Sequence, residues 1–377
     1  MINFGLVVEW IIKSLFIIIA LLTGFAYLTL YERKVLARIQ VRIGPNRAGP
    51  WGLLQPVADG IKLIFKEELI PSMADKLTFI IAPIITVVPA LVILAVVPFG
   101  DTWTVFGREI TLYLTDLNVG VLYIVSVASI SVYGIVLAGW SSNNKYATLG
   151  GIRSTAQMIS YELALGLAFI PVILMAGSMS MNAIVKAQAE MGWFVIWQPV
   201  GALIFWLASL AEVNRAPFDM PEAEQELTAG YHTEYSGMKF ALFFMAEYIK
   251  MIAVSAIAAT LFFGGYRGPF IDQLPWLGPI YLFIKVGLLL FGMIWTRATL
   301  PRIRYDRLMA FGWKILLPLA LMVIFFTAVG IVLEMLWLIP VLSIAGFLVV
   351  ATLTTRIGQS SSDRISRDRL ESSIQRR

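Results

Sequence analysis

One short stretch of this chain carries closely spaced carboxylates, a side-chain type that binds and passes protons. Residues 212–237 read EVNRAPFDMPEAEQELTAGYHTEYSG. Neighbouring carboxylates disfavour one another's ionisation, so some of them hold a proton near neutral pH and release it readily. A solvated acidic loop at the surface is the alternative interpretation. The candidate proton-relay residues in this stretch are Glu212, Asp219, Glu222, Glu224 and Glu226.

Four further ionisable side chains fall inside long apolar stretches, where a solvated loop does not explain them. They are Glu162, Glu247, Lys250 and Lys285. An ionisable group in hydrocarbon costs at least about 2.5 kcal/mol on insertion scales, so it persists when it faces an interior wet path or a partner. Glu247 and Lys250 lie one helical turn apart and could form a structural pair. Glu162 and Lys285 have no helical partner of opposite charge, which favours a role in proton or charge coupling.

A second polar region, residues 31–76, combines a basic segment with an amphipathic pattern. Arg33 begins a basic run that could anchor the chain on anionic lipid. Further on, Asp59, Lys62 and Lys66 recur at helical spacing, and apolar residues occupy the opposite face. This pattern predicts a helix that lies at the membrane interface, or one that lines the mouth of a cavity for an amphiphilic ligand.

The composition makes lipid the solvent for most of the chain. Of 377 residues, 59% are hydrophobic and 14% are charged, against about 25% charged in soluble domains. A soluble fold could not hide so much apolar surface, which excludes a water-soluble enzyme, a disordered protein and a disulfide-rich domain. With no cysteine and one histidine, His232, we expect no Fe–S, haem or metal site on this chain alone. The net charge of +5 is interpreted as a topology signal rather than a nucleic-acid site.

The apolar runs predict an all-α polytopic membrane protein with about nine spans, because each run approaches the roughly 20 residues that cross a bilayer. The fifth run is short. The predicted spans are Ile11–Leu30, Leu77–Pro98, Leu117–Gly139, Thr155–Ala176, Trp197–Leu210, Phe240–Phe262, Pro279–Trp295, Trp313–Leu333 and Trp337–Leu353. They form one domain, residues 1–354, with long cytoplasmic loops at 31–76 and 213–239. The Ser/Arg-rich tail, residues 355–377, is predicted to be disordered.

The distribution of basic residues predicts the orientation of the spans. Of the 29 lysines and arginines, 22 lie in the loops after spans one, three, five and seven and in the C-terminal tail, and 3 lie in the intervening loops. Basic residues concentrate on the cytoplasmic side of membrane proteins. We therefore expect a multi-pass protein of the bacterial cell membrane, with its N-terminus outside and its C-terminus in the cytoplasm.

Three long blocks resemble the signature regions of the complex I subunit 1 family. They are GLLQPVADGIK at 52–62, PFDMPEAEQELTAG at 217–230 and TRATLPRIRYDRLMAFGWK at 296–314. The resemblance extends from about residue 31 to residue 314. It implies a membrane subunit of proton-pumping NADH-quinone oxidoreductase that is not catalytic alone. On this resemblance quinone is the substrate, and FMN and Fe–S clusters reside in partner subunits of the hydrophilic arm.

The resemblance also implies roles for individual residues. It assigns proton or charge coupling to the loop and membrane acids, Glu162, Glu212, Asp219, Glu222, Glu224, Glu226 and Glu247. It places near the quinone chamber, or its lipid-side entrance, Arg33, Gln55, Asp59, Lys62 and Phe218. Three basic residues, Arg297, Arg302 and Arg304, either order the acidic loop or anchor the seventh span.

Three rival interpretations remain open from the sequence alone. A related membrane subunit of a hydrogenase-type or other non-NADH quinone-reducing complex would share the fold, although the PFDMPEAEQELTAG block and its YHTEYSG continuation favour the respiratory enzyme. An independent ion transporter predicts repeat symmetry and a midplane site on broken helices, and neither is evident. A purely structural membrane anchor does not explain the intramembrane acids.

Overall fold

The computed structural model describes residues 4–105, 108–219, 229–271 and 273–352, and these residues form a helical membrane bundle. Within them, seven helices are long and apolar enough to cross a membrane. Two shorter apolar helices, Pro199–Glu212 and Leu338–Thr352, lie at the positions of the predicted fifth and ninth spans. The predicted all-α polytopic fold is confirmed. The predicted tail, residues 355–377, lies outside the described residues.

The helices and strands follow one another along the chain with short connections. They are α1 (Phe4–Ile39), α2 (Gln55–Ile64), α3 (Lys76–Val92), β1 (Thr102–Val105), β2 (Arg108–Thr111), α4 (Gly120–Ser141), α5 (Lys145–Ala176), α6 (Met181–Met191), α7 (Phe194–Trp197), α8 (Pro199–Glu212), α9 (Gly237–Phe262), α10 (Gly278–Thr299), α11 (Tyr305–Phe311), α12 (Leu317–Val332) and α13 (Leu338–Thr352). A π-helical turn, Gly312–Leu316, joins α11 to α12, so that Tyr305–Val332 forms one span.

Two helices extend well beyond the apolar runs that predicted them. The first continues through Ile39, so residues 31–39 of the predicted loop are helical, and the fifth begins ten residues before the predicted Thr155. Apolarity marks only the part of a helix that lies in lipid, whereas caps mark where the helix starts. Asn144 provides such a cap, because its side chain accepts a hydrogen bond from the backbone N–H of Tyr146 at 2.9 Å.

A short β-hairpin was not expected from the continuous apolar runs. Strands β1 and β2 pair antiparallel between the second and third spans, with Thr102 opposite Thr111. Thr and Val are frequent in these two segments, and β-branched residues favour extended backbone. The hairpin pairs the backbone polar groups of a loop that is otherwise too short for a domain of its own.

The centre of the bundle is made by α4, α5, α8 and α9, and α1 and α10 lie at its edge. In α9, 67% of the apolar window is buried within the protein, against 11% in α1. The polar residues of the interior follow the same division, since Glu162 is on α5, Glu212 ends α8 and Lys250 is on α9. The most enclosed helices therefore carry the ionisable side chains.

Candidate functional site

Two carboxylates from different helices line the same small cavity inside the bundle. Glu162 of α5 and Glu212 of α8 are the ionisable members of a lining that is otherwise apolar, and Ser129 of α4 donates a hydrogen bond to Glu162. The cavity gives the centre of a water molecule about 20 Å³ of free space. One water needs roughly 10–15 Å³ by this measure and two or more polar partners. The site is therefore large enough for a water that connects the two acids.

The third membrane acid and its neighbouring lysine belong to the same region. Lys250 of α9 interacts electrostatically with Glu212, Glu247 and Glu162. Both Glu247 and Lys250 are buried, with 8% and 7% of their surfaces exposed. The anticipated helical pair is thus part of a larger group of four ionisable side chains, which we call the membrane acid cluster: Glu162, Glu212, Glu247 and Lys250.

The carboxylate of Glu247 directly contacts the turn that follows the acidic loop. Tyr231 Oη lies 3.4 Å from Glu247 Oε1. His232 Nε2 lies 3.8 Å from the same oxygen. Both aromatic residues are buried on the short 3₁₀ turn Gly230–His232. The membrane acid cluster therefore meets the loop at its C-terminal end.

The N-terminal end of the acidic loop is held by Gln157, which sequence reasoning missed. The amide nitrogen of this fully buried side chain donates to Ala211 O at 2.8 Å and to Phe218 O at 2.7 Å, and it lies 3.3 Å from Asn214 Oδ1. Gln157 precedes Glu162 by five residues on α5. A single helix thus carries both a membrane acid and the group that fixes the start of the loop.

An ion pair and a backbone bond fix the same part of the loop from the other side. Arg302 Nη2 lies 3.3 Å from Asp219 Oδ2, and Ile303 N donates to Pro217 O at 3.0 Å. Arg302 therefore contacts the acidic loop directly. By contrast, Arg304 pairs locally with exposed Asp306.

The C-terminal end of the loop rests against α5 through two glycines. A Cβ atom on Gly150 would lie 2.4 Å from Gly230 Cα, so the two backbones are in contact. Nearby, the ring of Tyr235 stacks on Phe79 with centroids 4.0 Å apart. Burial raises the pKa of Tyr235 to about 12, so its hydroxyl stays protonated as it donates to Phe79 O. The predicted relay residues Glu222, Glu224 and Glu226 lie outside the described residues.

A buried charge cluster at the cytoplasmic end of α1 was also missed. Glu32 pairs with Arg297 and, at 3.5 Å, with Arg215. The guanidinium of Arg215 lies 4.3 Å from the centre of the Tyr248 ring. Glu32 and Arg215 expose only 3% and 2% of their surfaces. The signal was present in the sequence, since Glu32 interrupts the basic run YERK, but no spacing rule connects it to Arg215 or Arg297.

An open pocket of about 800 Å³ lies next to this cluster on the first loop. Its lining includes Arg33 and Gln55, and it also contains Arg42, Arg47 and apolar Ile43. The volume falls in the range of roughly 300–1,000 Å³ typical of small-molecule sites. The pocket offers apolar walls and guanidinium donors together, which suits an amphiphilic ligand with a polar head.

The predicted amphipathic helix α2 is fixed at the edge of this pocket. Arg33 Nη1 lies 2.7 Å from Asp59 Oδ2, and Lys62 Nζ lies 3.6 Å from Asp59 Oδ1. Burial raises the pKa of Asp59, but the hydrogen bond and charge of Arg33 outweigh it and hold the pKa below its ordinary value. On the opposite face, Ile61 and Ile64 are exposed, as an interfacial helix requires.

Two residues that were grouped with these sites lie elsewhere. Phe218 is 1% exposed and packs between Tyr161 and Phe311, so it is not part of the pocket lining. Lys285 donates to three backbone carbonyls, those of Phe263, Gly265 and Arg267, at 2.6–2.8 Å. It therefore holds the turn after α9, at the end of that helix remote from Glu247 and Lys250.

These observations define a class: a polytopic helical membrane protein whose interior carries a group of ionisable side chains joined to a cytoplasmic loop region. The chain belongs to the NADH dehydrogenase family, whose model matches residues 12–328. The resemblance inferred from the three signature blocks is thereby confirmed.

Several curated bacterial proteins, each named as the H subunit of an NADH-quinone oxidoreductase, are similar over most of their length. One of the two such proteins numbered in Geobacter metallireducens is 52% identical over 333 residues, covering 85% of this chain and 95% of its own. The Thermomicrobium roseum protein is 52% identical over 317 residues, covering 81% and 92%. The Deinococcus deserti protein is 48% identical over 362 residues, covering 93% and 91%.

Proposed function

We propose that this chain is the membrane subunit of a proton-pumping NADH-quinone oxidoreductase that couples quinone reduction to proton movement. The observation that carries this proposal is the cavity shared by Glu162 and Glu212, with Lys250 and Glu247 within electrostatic reach. The relatives are all named as NADH-quinone oxidoreductase subunits, which supports the assembly. The partners are the quinone-site subunits of the hydrophilic arm, the adjacent membrane subunits and membrane lipid.

Proton transfer in the membrane acid cluster follows from carboxylate chemistry. A protonated Glu212 donates to a cavity water, and that water donates to ionised Glu162, so one proton moves between helices without separating charge in hydrocarbon. Ser129 holds the Glu162 carboxyl in place through its hydrogen bond. Lys250 supplies a positive charge that balances the ionised form of whichever acid has lost its proton. The acidic loop residues Asp219, Glu222, Glu224 and Glu226 bring protons to this group.

The quinone is proposed to bind at or enter through the pocket beside α2. Arg33 and Gln55 present hydrogen-bond donors to its oxygens, and apolar residues contact its ring and tail. Asp59 and Lys62 set the position of Arg33 and the helix. Reduction to quinol takes up two electrons and two protons. The electrons arrive through FMN and Fe–S clusters of partner subunits, and the chain's own carboxylates respond to the proton demand.

The test compares amide variants of the cluster with an exposed control. In assembled complexes, Glu162→Gln and Glu212→Gln should reduce NADH-to-quinone turnover and proton pumping together at least tenfold, because an amide keeps the shape but carries no proton. Electron transfer from NADH to an artificial acceptor upstream should be unchanged. Glu190→Gln, an exposed acid on α6, is the matched control and should behave as the parent. Full coupled turnover in a Glu162/Glu212 double amide variant would refute the proposal.

A second function is distinguishable by experiment. A membrane subunit of a non-NADH quinone-reducing complex would carry the same acids, because the coupling chemistry is shared. Purification of the intact assembly decides between them: NADH-oxidising flavoprotein subunits should copurify, with FMN in the preparation. The proposed orientation, N-terminus outside and C-terminus cytoplasmic in the cell membrane, is tested by reporter fusions at both ends.

A further inference from the structure

The only histidine of the chain, His232, lies between the acidic loop and the membrane acid cluster. It follows the loop directly, is 5% exposed and places Nε2 3.8 Å from Glu247 Oε1. Within the described residues, neither ring nitrogen has a hydrogen-bond partner. Proton transfer between Glu212 and Glu162 makes no use of this side chain, although imidazole is the side chain that ordinarily takes up and releases protons near neutral pH.

The surroundings of His232 suit a phenyl ring better than an imidazole. Four aromatic rings enclose it, with centroid distances of 3.9 Å to Tyr231, 5.5 Å to Phe240, 5.4 Å to Phe243 and 6.0 Å to Phe244. A buried polar atom without a hydrogen bond destabilises the folded state, and an apolar ring of the same shape would avoid that loss. Packing alone therefore does not explain an imidazole here.

We propose that His232 is a proton-relay residue that passes protons between the acidic loop and Glu247. The inference deepens the proposed function and rests on it. The ring accepts a proton at one nitrogen from the loop side, which makes it an imidazolium. It then releases the proton of the other nitrogen to the Glu247 carboxylate, which becomes a neutral carboxylic acid. One proton has moved and the imidazole is again neutral.

The geometry supports each half of this transfer. The 3.8 Å separation is slightly longer than a hydrogen bond, and a charged imidazolium draws the carboxylate closer. Tyr231 Oη, 3.4 Å from the same carboxylate oxygen, keeps the Glu247 carboxyl directed at the turn. Lys250 acts on Glu247 through its charge and links the arriving proton to Glu162 and Glu212. An unpartnered ring is free to exchange protons, whereas a saturated one is not.

The experiment uses His232→Phe and His232→Asn in the assembled complex. The Phe variant fills the aromatic enclosure without unpaired nitrogens, and the Asn variant keeps polarity but cannot relay a proton. Both should assemble, and the melting temperature of the Phe variant should equal or exceed that of the parent. Quinone-linked turnover should fall at least fivefold in both, with NADH transfer to an upstream acceptor unchanged. In the slowed Asn variant, the turnover ratio between H₂O and D₂O should exceed that of the parent.

A packing variant supplies the control. Phe244→Leu loosens the enclosure without touching a proton carrier, so it should lower the melting temperature and leave turnover per assembled complex near that of the parent. Full turnover in either His232 variant would overturn the proposal, as would slow turnover with an unchanged isotope ratio. If Glu162→Gln and Glu247→Gln also retained full coupling, the proposed function itself would be wrong. If those two were slow while His232→Phe was normal, only the histidine inference would fail.

Discussion

Two buried lysines, Lys250 and Lys285, occupy spans of the same bundle and differ in what surrounds them. The ammonium of Lys285 is bound by three backbone carbonyls of the turn after α9, and it lies 5.4 Å from the Trp193 ring centre. Lys250 instead has three carboxylates, Glu162, Glu212 and Glu247, as its electrostatic partners. Carbonyls do not change charge, so the first lysine stabilises one conformation. Carboxylates do change charge, so the second responds to every proton that moves nearby.

This difference shows that depth in the membrane does not by itself identify a functional charge. Both lysines interrupt apolar spans and invite the same interpretation from sequence. The chemistry of the partners distinguishes them, because a fully hydrogen-bonded ammonium has no donor left for a mobile ion. We therefore propose that Lys250 takes part in charge coupling and that Lys285 fixes the turn between α9 and α10.

Replacing each lysine by methionine gives the largest expected contrast. Lys250→Met should lower coupled turnover at least tenfold in assembled complex, because the cluster loses the charge that balances its ionised acids. Lys285→Met should leave turnover per complex unchanged but lower the melting temperature. It leaves three carbonyls without their donor, and each such group costs about 1–3 kcal/mol. Turnover assays and thermal unfolding of the purified assembly measure both effects.

Lys250→Arg and Lys285→Arg are the matched controls, since both keep the charge. Partial recovery of turnover in Lys250→Arg would sharpen the contrast, because it separates charge from shape. Loss of coupled turnover in a fully assembled Lys285→Met complex would contradict it and return Lys285 to the coupling residues.

The glycine contact under the acidic loop extends the comparison to a site without charge. In Gly150→Ala the new methyl group would lie 2.4 Å from Gly230 Cα, a distance that forces the two backbones apart. We expect this variant to reduce coupled turnover severalfold and to lower the amount of assembled complex. Gly166→Ala, on the same helix with open space around the position, should behave as the parent. Equal behaviour of the two variants would show that the loop end tolerates displacement.

Much of this architecture was accessible from the sequence, for physical reasons that also explain the omissions. Glu162 and Glu247 stood out because an acid in an apolar span is costly wherever the chain folds. The approach of Glu162 to Glu212 required coordinates, because nothing local relates α5 to α8. Gln157 gave no signal at all, since an amide in a helix attracts no notice until its three bonding partners are known.

A hydrogen-bond variant at the start of the loop should have a smaller effect. Gln157→Leu removes the donor to Ala211 O and Phe218 O, and a single such bond contributes about 0.5–1.5 kcal/mol net. We expect coupled turnover two- to fivefold below the parent. Gln157→Glu, which cannot donate to two carbonyls when ionised, should be at least as slow. Protease cleavage within residues 213–230 should accelerate in both variants, and unchanged cleavage would place the loop's restraint elsewhere.

The smallest expected effect concerns the Arg33–Asp59 pair, which lies between the two kinds of lysine site because its carboxylate titrates yet is partly exposed. Its pKa is held below the ordinary value of 3.8. The pair therefore contributes fully above that value, and the contribution is lost as the pH falls through the lower pKa of the folded state. Pairs this exposed contribute about 0.2–1 kcal/mol. Hydrogen exchange of α2 in the lipid-embedded complex should increase modestly from pH 7 to pH 3. In Asp59→Asn the exchange should already be raised at pH 7, and the increase on acidification should shrink. An identical pH response in the variant would show that other carboxylates control the attachment of α2.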